Sequence, residues 1–181
     1  MKRNVLHRRV VIIRREIATD VGSVDAVTSA AFAVGDGVQE PPETRLLRSL
    51  RADRGWISTL SMVAVHDERV VGHVVCTRGW VGETAALGLG PISVLPSCQR
   101  RGIGQAMMHA IVGAADVAGE PLIALLGDPR FYSRFGFIAA SRLGIAAPEP
   151  DWGAHFQVRP LTDCPPSVIG AFRYAAPFAS L

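Results

Sequence analysis

The stretch Gln99-Arg100-Arg101-Gly102-Ile103-Gly104 follows a strand-like run over residues 87–95 and leads straight into a helix-like run over residues 105–118. A glycine-rich turn at a strand-to-helix junction leaves several backbone N–H groups pointing outward. The helix dipole adds partial positive charge at the same place, so an anion such as a phosphate is favoured there. Arg100 and Arg101 add full charges with bidentate geometry. A pyrophosphate at this turn is the expectation, and a solvated pair of charges is the plainer reading of the two arginines.

Working outward, residues 10–15 read as a first strand, residues 24–32 as a helix, and Gly35-Asp36-Gly37 as a break. Pro41-Pro42 opens a second helix reaching about residue 53. Leu46, Leu47 and Leu50 form its apolar stripe, opposite Arg45, Arg48 and Arg51, which read as a solvated cationic face. Residues 61–66 and 70–77 suggest an antiparallel hairpin turning at Asp67-Glu68-Arg69, with a further turn at residues 80–84. The run 87–95 contains Gly88, Gly90 and Pro91, poor residues for a regular central strand, which point to a bulge or an unpaired edge. Gly119 and Pro121 stop the helix that follows the glycine turn. Residues 122–126 are a buried strand and residues 131–135 a short helix closed by Gly136. Residues 137–140 and 157–161 complete the strands, with a loop at 147–153 between them. Strands in this order around a single β-α-β unit predict an α/β (α+β) fold. Its sheet is mixed and mostly antiparallel, of about six to seven strands, with helices on both faces.

The chain has 181 residues, enough for one domain over 1–181 that buries roughly 70% of its unfolded surface. A hydrophobic content of 49% with 19% charged residues excludes a disordered chain. No apolar run reaches the roughly 18 residues of a membrane span, and the basic Met1-Lys2-Arg3-Asn4 start is not followed by a signal-peptide core. A net charge of +3 without an aromatic stacking platform argues against nucleic acid. Cys76, Cys98 and Cys164 fit neither a metal pattern nor a disulfide framework, so free thiols, no metal and a cytoplasmic location are expected.

The longer sequence Ile92-Ser93-Val94-Leu95-Pro96-Ser97-Cys98 running into the glycine turn resembles the acyl-coenzyme A signature of the GNAT N-acetyltransferase superfamily. The run Phe131-Tyr132-Ser133-Arg134-Phe135-Gly136-Phe137 resembles the tyrosine-bearing helix of the same family. With Leu126-Gly127-Asp128-Pro129 in front, the likeness is greatest to the bacterial YhbS-like branch, and the motif core spans residues 87–137. The resemblance implies acetyl-CoA as co-substrate and direct attack by a primary amine in a ternary complex. N–H groups from Arg101 to Gly104, with Gln99, Arg100 and Gln105 around them, would receive the pyrophosphate. A bulged strand over Ile92, Ser93 and Val94 would splay from residues 122–126 and pair with the pantetheine amides like an added strand. Tyr132 would give a proton or hydrogen bond to the departing thiolate, against a plainer reading as a core aromatic.

Two departures stand out. Many relatives carry a glutamate on the strand matching residues 86–94, and this chain has none there. Glu40, Glu43, Glu83 and His73 are the remaining candidates for a base, with Glu43 favoured because the first two helices of the family border the acceptor site. The asparagine that many relatives place before the tyrosine is Leu125 here, which leaves the pantetheine arm to be held differently or by backbone alone. Cys98 beside the turn reads as a small turn residue rather than a nucleophile. The leading function is acetyl transfer to an amine, with a non-catalytic acyl-CoA-binding module as the alternative. A dinucleotide fold fits poorly because Met107 stands where a third small residue is needed. The acceptor, a small molecule or a protein N-terminus, and the choice between monomer and homodimer stay open.

Overall fold

The computed structural model describes residues 10–35 and 39–180. The Asp36-Gly37 part of the expected break lies outside them. In chain order the elements are β1 (Val11–Arg15), α1 (Val21–Phe32), α2 (Pro42–Ala52), β2 (Trp56–His66), β3 (Arg69–Val81), β4 (Thr84–Val94) and α3 (Ile103–Val117). Then come β5 (Leu122–Leu126), α4 (Pro129–Tyr132), β6 (Ile138–Ala139), β7 (Ile145–Ala146), β8 (Phe156–Pro160) and β9 (Gly170–Arg173). The sheet runs β1-β2-β3-β4-β5-β8-β6, antiparallel at every step except β4–β5, and β9 joins β3 while pairing β7 in parallel.

Alternation along the strands sets the two layers, because successive side chains point to opposite faces. Met62, Ala64, Val74 and Cys76 face α3 and pack with Met107, Met108 and Ile111. The intervening Val63 and Val75 face the other way and pack with Val24 of α1 and Leu47 of α2. β5 divides likewise: Ile123 and Leu125 join the α3 side, while Leu122 and Ala124 join a second core with Phe156, Val158 and Phe172.

The expected mixed, mostly antiparallel sheet between helices is what the chain forms, with three departures. The central hairpin is longer than the apolar alternation suggested, so β3 continues through the expected turn to Val81 and only Gly82-Glu83 turn. The short β7 and β9 went unread because strands of two and four residues leave no periodic signal. The loop around 147–153 contains a 3-10 turn over Pro150–His155.

The arginines of α2 are not a purely solvated face. Arg51 lies against Glu16 at 2.6 Å and Asp25 at 3.0 Å, and Arg48 meets Asp25 at 2.6 Å and Glu40 at 2.8 Å. Glu16, only 6% exposed, accepts a hydrogen bond from the Ser61 hydroxyl. The Nε2 of fully buried His73 lies 2.9 Å from that hydroxyl and 3.2 Å from the carboxylate. The Nδ1 of His73 has no partner among the described residues, as expected for a neutral ring that carries its proton on Nε2. Burial alone would raise the Glu16 pKa, but hydrogen bonds from His73 and Ser61 and the charge of Arg51 outweigh it and bring it down to about 2. Burial lowers the pKa of His73.

Both shifts give stability that is lost in acid. His73 protonates more readily once unfolded, so stability declines as pH falls below about 6.5. The contribution of Glu16 is whole above about 4.5 and lost as pH falls toward 2. Glu16→Gln is expected to cost about 3 kcal/mol, or about 10 °C in Tm for a chain of this size. It should also flatten the decline below pH 4.5, as read by thermal melts from pH 7 to 3. An unchanged melting profile would show that this network does not hold α2 to the sheet.

Candidate acyl-CoA and acceptor site

β4 and β5 pair at Leu87–Ile123 and Gly88–Ala124, and beyond Gly88 they part. The register of β4 on β3 slips between Val74 and Cys76, where β4 carries an extra residue at Gly90-Pro91. His73 then sits opposite Ser93. The Val94 carbonyl accepts a hydrogen bond from the Gln99 side-chain amide at 3.1 Å, so it faces away from β3. Backbone groups of one residue point to the same side of a strand, and those of alternate residues agree. The Val94 N–H and the polar backbone groups of Ile92 therefore face the gap left by β5.

At the end of this gap the chain turns through Pro96–Cys98 into α3, with Gly102 as N-cap in the left-handed region at φ +82°. The first helical bond of the turn runs from the Ala106 N–H to the Gly102 carbonyl. The N–H groups of Ile103, Gly104 and Gln105 thus face outward at the positive end of a helix of 15 residues. Ile92, Val94, Gln99, Arg100, Gly102, Gly104, Gln105 and Phe131 line one cavity of about 490 Å³ here. Among these residues the charge is Arg100 alone, so the cavity suits an anion at its helix end.

Not every expected residue reaches it with its side chain. The hydroxyl of Ser93, which is 2% exposed, lies 3.2 Å from that of Thr28 on the α1 side. Ile103 is buried in the α3 core and offers only its N–H. Arg101 is exposed and outside the lining, and Cys98 is outside it too.

A second cavity, about 780 Å³, shares Ile92 with the first. Tyr132 and Glu43 both line it, together with Leu89, Gly90 and Pro91 of the bulge. Leu125 points into the core, so the departure from the family asparagine places an apolar side chain away from both cavities. The other candidates for a base fall elsewhere: His73 is sealed in the polar network, Glu40 pairs with Arg48, and Glu83 is in the β3–β4 turn. Burial raises the pKa of Tyr132, so its phenol stays protonated at neutral pH.

Sequence reasoning missed the far wall: Phe32, Glu149, Trp152, Tyr174 and Phe178. A side chain at Gly88 would meet the Tyr174 ring at 2.5 Å, and one at Gly127 would run into the Tyr132 ring. Gly88 is therefore a place for a distant ring, where the sequence suggested only a bulge.

The acetyltransferase (GNAT) domain model matches residues 58–139. The chain is 31% identical over 155 residues to the uncharacterized N-acetyltransferase YhbS of Escherichia coli K12, covering 84% of this chain and 88% of that protein. The chain belongs to the GNAT acetyltransferase family. The E. coli uncharacterized N-acetyltransferase YjhQ is 27% identical over 167 residues, covering 88% of this chain and 89% of that protein. The crystal structure of E. coli YhbS in complex with CoA superposes with a TM-score of 0.85 at 28% identity, over 94% of this chain and 93% of that one. A Brucella melitensis GNAT acetyltransferase in complex with acetyl-CoA superposes with a TM-score of 0.74 at 32% identity, over 94% of this chain and 99% of that one.

A substituent at Gly104 would have its nearest neighbours 3.9 Å away, the Phe131 ring and a Val94 methyl, so the site tolerates a side chain sterically. Gly104→Asp should fold with a Tm near that of the parent, yet bind CoA about tenfold or more weakly through repulsion at the helix end. Calorimetric titration with CoA reads this, and an unaltered affinity would show that the anion does not sit there.

Proposed function

We propose that this protein transfers the acetyl group of acetyl-CoA to a primary amine by direct attack in a ternary complex. The observation that carries the reading is the meeting of two cavities at Ile92, one at a helix N-terminus beside Arg100 and the other lined by Tyr132 and Glu43. The CoA and acetyl-CoA complexes of the two similar proteins support the assignment of the donor. The chain's residues fit that donor in size and sign. The N–H groups of residues 103–105 and the Arg100 side chain hold the pyrophosphate. The Val94 N–H and the Ile92 backbone take the pantetheine amides along the gap. Acetyl-CoA supplies the activated thioester.

The chain's own groups manage protons. Glu43, half-buried at the start of α2, accepts the proton that the acceptor ammonium must lose, directly or through water. Tyr132 donates to the departing sulfur, and its raised pKa keeps that proton available at working pH. Packing of Tyr132 against Phe131 and Phe137, at ring distances of 4.9 and 6.0 Å, fixes the direction of the phenol.

Thiol release from acetyl-CoA in the presence of a panel of amines tests the activity. Tight CoA binding without release for any amine would favour a binding module instead. Tyr132→Phe is expected to lower turnover by about 10²-fold. The alkaline loss of turnover should lie above pH 10, the ordinary value for a phenol. Unchanged turnover in the Phe variant, with chemistry rate-limiting, removes Tyr132 from this role.

A further inference from the structure

We infer that the acceptor is a primary amine carried on a flat apolar body and bearing no carboxylate. The inference rests on the acetyl-transfer reading and specifies the substrate class that the reading leaves open.

Glu43 and Glu149 are the charged side chains in the lining of the larger cavity, with no arginine, lysine or histidine among the described residues there. In the smaller cavity the charged lining residue is Arg100. The two halves thus carry opposite signs on either side of Ile92, anionic where an ammonium would enter and cationic where a pyrophosphate would lie. A carboxylate on the acceptor would share the cavity with the half-buried Glu43 and the exposed Glu149, and like charges repel. Free amino acids are therefore disfavoured, although they bring the same amine.

Tyr174 and Phe178 lie with ring centroids 4.6 Å apart and planes tilted by 33°, and Trp152 stands 6.3 Å from Tyr174 at 63°. These rings pack against one another and give the cavity one continuous aromatic wall, suited to a flat group laid against it. A ring face also attracts the ammonium. A polyamine would satisfy the carboxylates and leave the rings uncovered. The volume of about 780 Å³ falls in the range of small-molecule sites. Residues 148–152 and 174–179 both line it, so a protein N-terminus would have to reach in past both segments.

Phe32, Glu43, Trp152, Tyr174 and Phe178 all lie outside residues 58–139, the segment matched by the family model. These side chains are where this chain sets its own preference.

The test compares phenethylamine and tryptamine with phenylalanine, tryptophan, spermidine and a short alanine-initiated peptide, reading thiol release with saturating acetyl-CoA. The two arylalkyl amines should exceed their carboxylate counterparts by about 100-fold in kcat/KM, and spermidine and the peptide by about tenfold. Equal or better turnover of phenylalanine, spermidine or the peptide overturns the substrate class while upholding acetyl transfer. A second reading uses CoA-loaded protein and needs no turnover: phenethylamine should raise Tm, and phenylalanine at the same concentration should not. Phenethylamine binding without thiol release upholds the amine site and overturns the transfer reading, and an absence of binding by either amine overturns the site. Trp152→Ala should raise KM for phenethylamine about tenfold and erase its advantage over spermidine. A retained advantage in that variant counts against the ring wall.

Discussion

Backbone N–H and C=O groups inside a protein need partners, and leaving one dry and unpaired costs about as much as a lost hydrogen bond. In this chain a parallel strand pair stops after two residue pairs, so a row of such groups opens onto a gap in the middle of the sheet. Everything around the gap answers that demand. Gln99 reaches back to the Val94 carbonyl at 3.1 Å. The extra residue at Gly90-Pro91 turns β4 away from β5 while keeping it on β3. The helix that follows aims its own unpaired N–H groups at the mouth of the same gap. A ligand with amides along its length and an anion at its end meets both requirements together.

The polar network on the opposite face serves the acceptor side. Arg51 and Arg48 tie α2 to Glu16 and Asp25, while Ser61 and His73 carry the network into the sheet. That same helix presents Glu43 and Leu46 to the cavity. Its inner face thus has two duties, and the network fixes the helix so that the cavity wall does not shift with it. Burying charge in this way is costly unless every charged group has a partner, and here Arg51 and Glu16 have them.

The part of the site built from local chain was legible in the residues. A glycine turn, an interrupted strand before it and an aromatic helix after it occupy neighbouring positions in sequence, and each has a local physical signature. Gly102 must adopt a positive φ, and Gly90 and Pro91 disrupt a ladder whatever their context. The acceptor wall was not legible, because it depends on pairs far apart in the chain. Tyr174 lies on Gly88, and Arg51 bonds to Glu16, with nothing in either neighbourhood that names the other. Arginines on the polar side of an amphipathic helix look solvated until the fold brings carboxylates to them. Ser93 shows the reverse: its place in a motif suggested the cavity, and strand alternation sends its hydroxyl to Thr28.

The chain contains two tyrosines, and both line the larger cavity. Burial raises the pKa of each phenol, and the charge of Tyr132 raises that of Tyr174 further. Loss of the Tyr132 proton therefore makes the Tyr174 proton harder to remove. Tyrosinate absorbs light differently from tyrosine, and no third tyrosine dilutes the signal. The absorbance change on tyrosinate formation, unlike the tryptophan background, is therefore an optical report on one cavity, built in by composition alone.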